Sequence, residues 1–245
     1  MKNIPNSISL INLFLGCTAI VLIMKGLPVT GAILIGIGAL LDFLDGALAR
    51  LLNAGSPVGE QLDSLADLVS FGIAPATILF YYMHAALPLV NPESLQIVYP
   101  LAAYIIAVFS AMRLAIFNTD QEQSDHFKGL PTPANALLIA SFPVVLAFDA
   151  PDSLIAQIIT SITGHFWITL AFTVLLSWLL VSPVRMFSLK VKNFAWSENR
   201  IRYIFLTGCL LLLIIFGPSA IPLFLIFYIL LSLTDHLFSF RRKRT

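Results

Sequence analysis

The chain is divided into apolar runs long enough to cross a lipid bilayer, and this limits its fold more than any other feature. A bilayer core takes about 20 mostly apolar residues per helix. On that ruler eight spans are expected, over Ser7–Met24, Val29–Ala49, Leu65–Leu87, Leu95–Ile116, Ala134–Phe148, Ile158–Val181, Ile201–Phe216 and Ala220–Phe238. Turn residues separate most of them: Lys25-Gly26-Leu27-Pro28, Pro92, Pro151, Pro183 and Gly217-Pro218. Backbone polar groups in lipid must be satisfied within the segment, so the expected class is all-α, a polytopic membrane helical bundle of about eight transmembrane helices. The 245 residues are 58% hydrophobic and 11% charged, where a soluble domain carries about 25% charge. No polar linker is long enough to divide the chain, so residues 1–245 are expected to form a single integral membrane domain, ending in two further helices at about 201–238. A net charge of +1 gives no field for nucleic acid, and two cysteines, Cys17 and Cys209, are too few for a zinc site or a disulfide framework.

Leu15-Gly16-Cys17 has the outline of a lipoprotein cleavage box. The apolar run continues past the cysteine to Met24, so this segment is expected to stay as the first helix. Basic residues then set the orientation. With eight spans and a cytoplasmic N-terminus, Lys2, Arg50, Arg113, Lys128, Arg185, Lys190, Lys192, Arg200, Arg202, Arg241, Arg242, Lys243 and Arg244 fall inside and Lys25 alone outside, 13 of the 14 basic residues against 1. The positive-inside rule therefore places both termini in the cytoplasm of a multi-pass protein of the cell (inner) membrane.

Against this background four acids stand out. Asp42 and Asp45 lie deep in the second apolar run, and Asp63 and Asp67 open the third. Each carboxylate at the centre of a span costs about 2.5–3.5 kcal/mol on insertion scales. Arg50 is the only cation close in sequence and cannot neutralise four anions, whereas hard divalent metals suit carboxylate oxygens. The spacings, three residues within the first pair and four within the second, put each pair on one helix face. Gly46 and Ala49 keep that face small, and Gly55, Pro57 and Gly59 read as a tight connecting loop. Taken alone, the acids also suit a proton relay, pairing with Arg113 or Arg185, or a cation transporter.

The pattern Asp42-Phe-Leu-Asp45-Gly46-Ala-Leu-Ala49-Arg50, eight residues, then Gly59-Glu-Gln-Leu-Asp63-Ser-Leu-Ala-Asp67 matches the signature of the CDP-alcohol phosphotransferases at every defining position and in both spacers. A wider context resembles the phosphatidylserine synthases among them: Ile4-Pro5-Asn6, Asn12-Leu-Phe-Leu-Gly16, Leu62-Asp-Ser-Leu-Ala-Asp-Leu-Val-Ser-Phe-Gly72, Phe127-Lys-Gly-Leu-Pro-Thr-Pro133, and Val181-Ser-Pro183 followed by Lys190. Ile116 stands where this resemblance leads one to expect a second arginine after Arg113. The likeness spans roughly residues 4–192.

The resemblance implies transfer of the phosphatidyl group from CDP-diacylglycerol to L-serine, giving phosphatidylserine and CMP. It implies that Asp42, Asp45 and Asp63 hold Mg2+ or Mn2+ with Asp67 as a shared ligand and general base. It also implies that Gly46, Ala49, Arg50 and Gly59 form the nucleotide side, that Arg113, Asn118 and Lys128 receive the serine, that the site faces the cytoplasm, and that the chain is a homodimer in membrane lipid. Related acceptors and donors, namely glycerol phosphate, inositol phosphate, choline or an archaeal ether lipid, remain as alternatives. His126 reads as solvated, and His165, Asp235 and His236 have no motif around them. Arg241-Arg242-Lys243-Arg244 reads as a topology anchor able to touch anionic lipid.

Overall fold

The structure, a computed structural model, describes residues 4–51, 56–87, 94–119, 126–187 and 196–242. Helix α1 runs Ile4–Met24 and α2 Pro28–Leu51, joined by a turn in which Gly26 has a φ of 81°. The next helix is continuous from Pro57 to Ala86 but changes winding: α3 (Pro57–Asp67), a π-helical stretch Leu68–Ile73, then α4 (Ala74–Ala86). A short α5 (Ser94–Val98) and a 3₁₀ stretch Tyr99–Tyr104 lead into α6 (Ile105–Thr119). Strand β1 (His126–Lys128), α7 (Thr132–Phe148), α8 (Leu154–Thr163), α9 (Phe166–Val181) and strand β2 (Arg185–Phe187) follow. Two long helices, α10 (Trp196–Phe216) and α11 (Ala220–Arg242), complete it. This is a polytopic helical membrane protein, with one addition to the expected all-α class: β1 and β2 pair as a small antiparallel ribbon.

By length and composition, five helices among the described residues can cross a membrane, or six with the bent pair α8–α9. That reckoning takes Asn199–Ser232 as one stretch of 34 residues. As a straight helix it would separate Phe205 from Phe227 by about 33 Å at 1.5 Å per residue. Their rings instead stack at 5.9 Å, and Phe205 meets Tyr228 at 5.7 Å. The chain turns back at Gly217-Pro218, where Gly217 has a φ of 55°, so α10 and α11 form an antiparallel hairpin of two spans. Close approach is possible because Gly208 lies under the Phe227 ring. Helix α7, at 17 residues shorter than a full span, has most of its surface buried by protein.

Two expectations need correction. The expected sixth span, Ile158–Val181, is not one straight helix: α8 is bent from α9 by 99° at Gly164, with Ser153 capping the start of α8 through a bond from the Ala156 N–H. The third helix begins at Pro57 rather than at Leu65. Ser56 is its N-cap, accepting from Gly59 N at 3.0 Å, and Pro57 takes the first position, where a missing N–H costs nothing. Pro57 and Gly59 are therefore helical, and Asp63 and Asp67 sit well inside the helix instead of opening it.

The connections sort the bundle into two ends. At one end lie the start of α1, the ends of α2 and α6, and the starts of α3 and α7, linked by Ser9–Asp45, Asn118–Ser64 and Arg113–Thr132 bonds. At the other, Asp149 after α7 accepts from Ser153 and from Ser219 in the α10–α11 turn. The apolar core between them contains Phe71, Ile78, Leu79, Met83, Ile106, Ile139 and Phe142.

Candidate active site

The signature carboxylates converge at the first of these ends. Asp42 comes from α2, and Asp63 and Asp67, one helical turn apart, come from α3. One carboxylate oxygen from each lies within 4.8 Å of the others. Asp67 is buried, and its Oδ1 has no hydrogen-bond partner among the described residues. Three hard anionic donors converging on one point, with a desolvated oxygen among them, suit a divalent cation. Asp45 does not join this trio. It is 4% exposed and accepts a 2.7 Å bond from the Ser9 hydroxyl of α1. At three residues' separation it lies about 60° around the helix from Asp42, enough for α1 rather than α3 to be its neighbour.

Close packing of small residues brings α1 against these helices. The Ser70 hydroxyl, in the π-helical stretch just past Asp67, donates to the Asn12 carbonyl at 2.9 Å, and Gly16 lies directly against Ser70. A Cβ at Gly38, one turn before Asp42, would sit 2.7 Å from Asn12 Oδ1. At Gly59 it would sit 2.8 Å from Asn6 Oδ1, so part of the room expected beside Gly59 is filled by α1. Hydrogen bonding of this wider i→i+5 kind is rare and frequently falls at functional sites. Here it falls between the carboxylates and the Gly72–Ser110 contact that fixes α6.

Arg113 of α6, 9% exposed, lies within electrostatic range of Asp67. Its Nη1 donates to Thr132 Oγ1 at 3.0 Å, and its guanidinium lies over the Phe117 ring at 5.4 Å from the centroid. Asn118 is exposed, with its Nδ2 donating to Ser64 Oγ on α3 at 2.7 Å. Gly46 lies on the turn of α2 after Asp42. Ala49 and Arg50 lie on its last turn, and their side chains are outside those described.

The ribbon unites two segments far apart in sequence. Lys128 is the register partner of Arg185, with both side chains outside those described, as are those of His126, Asp235 and His236. Gly129 N donates to Val184 O and Leu130 N to Leu179 O, both at 2.9 Å. Gly129 has a φ of 79°, and a Cβ there would run into the Leu180 carbonyl. Only glycine fits both demands, and the tight crossing delivers Thr132 to Arg113. Sequence reasoning assigned no role to Ser9 or Thr132. Their hydroxyls carry no signal until the helices that face them are known.

The sequence model of the CDP-alcohol phosphatidyltransferase family matches residues 2–179, and the chain belongs to that family. Relatives named CDP-diacylglycerol–serine O-phosphatidyltransferase match it along much of this region. The Mycobacterium leprae protein is 35% identical over 158 residues, 61% of this chain and 50% of the relative. The Bacillus subtilis protein is 35% identical over 152 residues, 60% and 81% respectively. The Methanocaldococcus jannaschii protein is 32% identical over 156 residues, 64% and 68%. The matched segment thus spans about half the length of the mycobacterial relatives.

Proposed function

We propose that this protein transfers the phosphatidyl group of CDP-diacylglycerol to L-serine, releasing CMP and phosphatidylserine. The observation that carries the reading is the convergence of Asp42, Asp63 and Asp67 beside a buried arginine, in a family member whose relatives bear that activity in their names. In this reading Asp42 and Asp63 hold Mg2+ or Mn2+, with Asp45 supporting from the Ser9 side. The bound metal would neutralise the diphosphate and template its oxygens. Gly46, Ala49, Arg50 and Gly59 form the nucleotide side.

Asp67 takes the proton of the serine hydroxyl as that oxygen attacks the phosphorus bearing the lipid, and the bond to CMP breaks. Arg113 receives the serine carboxylate as a planar fork, and Asn118 and Lys128 line the entry. Burial of Arg113 strengthens that pairing, since a desolvated cation gains more from an incoming anion than one in water. The carboxylate end faces the cytoplasm, where soluble serine arrives, while the acyl chains stay in lipid. Residues 1–245 act as one membrane domain, and the protein works as a homodimer in the inner membrane.

The test is CMP release by purified protein given CDP-diacylglycerol and a set of alcohols. Serine should exceed glycerol 3-phosphate, inositol phosphate and choline in kcat/KM. A higher value for any of these would remove serine from the assignment, and metal uptake without CMP release would favour a transporter.

A further inference from the structure

The break at Gly164 divides one apolar run into two helices with different surfaces. Helix α9 passes between the two ends of the bundle. Phe166 at its start meets Tyr99, in the stretch leading into α6, with ring centroids 6.3 Å apart, and Leu179 near its end accepts from Leu130 N just before α7. Helix α8 follows the Asp149 junction at the end opposite the carboxylates, and at 99° to α9 it runs across the bundle and not along it. The bend is a built joint. The Thr169 hydroxyl donates to Ile162 O at 2.7 Å and His165 Nδ1 lies 3.1 Å from Ser161 O, partners for carbonyls left open at the end of a helix. Around α8 the side chains fall into three strips at helical spacing. Ala156, Ile159 and Thr163 are buried against the bundle. Leu154 and Ile158, four apart, are exposed, Leu154 by 72%. Gln157 and Ser161, also four apart, are exposed with Thr160 on a third side, and exposed Asp152 and His165 flank the helix. Just past the bend Trp167 is 76% exposed, a residue type that concentrates at the headgroup level. Depth agrees with this: α9 has 16 residues and α7 has 17, about 24 and 26 Å at 1.5 Å per residue, against a hydrocarbon core of about 30 Å. Helices this short end no farther out than the hydrocarbon boundary, and α8 is tied to both.

We propose that α8 is an interfacial helix: it lies in the headgroup boundary of the leaflet opposite the active site, with Leu154 and Ile158 set among acyl chains and Gln157, Thr160 and Ser161 toward water. A helix surrounded by water would leave the apolar strip exposed at a cost, and one within hydrocarbon would strand the polar strip; the interface satisfies both. The partner of the apolar strip is lipid. Two side chains offer far less than the roughly 800 Å² a side that a stable protein interface buries, and the strip lies one bend away from the exposed Trp167 and Ile168 of α9. Helix α9 then makes the sixth crossing without α8, and the two together set the depth of the bundle in the bilayer. The proposal holds for any acceptor alcohol, so it stands or falls apart from the serine reading.

The test sets one spin label at a time on the full chain in phosphatidylcholine nanodiscs, in a Cys17→Ala, Cys209→Ala background. Labels on Leu154→Cys and Ile158→Cys should be reached by molecular oxygen in preference to an aqueous nickel chelate. Labels on Gln157→Cys and Ser161→Cys should show the opposite preference. Preference for the chelate at all four positions would overturn the proposal in favour of a helix in water. Preference for oxygen at all four would overturn it in favour of a re-entrant segment in the hydrocarbon. Spin–spin broadening at Leu154→Cys and Ile158→Cys would put a second copy of the chain on the strip and overturn it as well. Where a substitution lowers the Tm, the unsubstituted chain decides. Phosphatidylcholine with a diazirine high in its acyl chain should leave adducts on Leu154 or Ile158 after photolysis, and a map of adducts without either would overturn the proposal.

Discussion

At the scale of single residues, the four signature acids are chemically alike and their surroundings differ. Asp67 has a buried oxygen beside Asp42 and Asp63 that finds no hydrogen-bond partner among the described residues. As the base, it should tolerate Asp67→Asn in binding but not in turnover. Affinity for CDP-lipid and metal should stay near normal while kcat falls by about 10²–10⁴. Joint loss of both affinities, measured by calorimetry, would make it a ligand first. Asp42→Asn and Asp63→Asn replace a charged oxygen donor by a neutral one, so activity should vanish and metal binding weaken sharply. Chelator should abolish parent activity, and Mg2+ or Mn2+ should restore it. Asp45 makes a different prediction. Its bond from Ser9 is a hydrogen bond to a buried carboxylate, of a kind that contributes about 1.5–3 kcal/mol. Ser9→Ala should therefore lower Tm clearly and leave serine KM unchanged, and an unaffected Tm would show that bond to be dispensable.

At the scale of elements, the joints between helices are as informative as the helices. Gly129 combines a left-handed backbone with a Leu180 carbonyl where a side chain would start. The conformation alone costs a non-glycine residue about 1–2 kcal/mol. Gly129→Ala should loosen the ribbon and displace Thr132, raising serine KM along with a drop in Tm; a variant with parent-like values in both would contradict that coupling. At the opposite end, Asp149 ties three elements together. The Ser219 hydroxyl above all, with the Ala150 N–H and the Ser153 hydroxyl, holds its carboxyl below the usual carboxylate range. A group with a depressed folded value stabilises the fold above its unfolded value of 3.8 and loses that contribution as pH falls through the folded one. Asp149→Asn should thus be less stable than the parent at neutral pH, and the gap should close in strong acid. A gap independent of pH would show that the charge plays no part.

At the scale of the whole molecule, the hairpin fold of α10 and α11 decides on which side of the bundle α11 ends. A single 34-residue span would carry the end of α11 away from the carboxylates. The turn at Gly217 returns it, and lays α11 along α7 and against β2. The 13-to-1 division of basic residues expected from the sequence makes the side of the site the cytoplasmic one in the proposed orientation. Cysteine substituted at Ser56 should label from the cytoplasm and cysteine at Asp152 only from outside. The reverse pattern would invert the orientation, and labelling of both from one side would break the two-ended fold.

What the sequence determined by itself is what short-range periodicity encodes. Runs of about 20 apolar residues require helices in lipid, and acids three and four apart on such helices require a compensating partner. The signature from Asp42 to Asp67 could be read without the fold for the same reason, since both its halves are local helical patterns. The tertiary structure decided everything that depends on which helix faces which. It separated Asp45 from the other three acids by turning it toward Ser9, and it bent α8 away from α9 at Gly164 although the apolar run passes through the break. It also brought Lys128 opposite Arg185, and α11 against α7, across more than fifty residues of chain. Hydropathy registers how apolar a residue is and not what it touches. A tyrosine such as Tyr228, on a helix beyond the family match, therefore reads as lipid-facing or core until the fold seats its ring against Phe205.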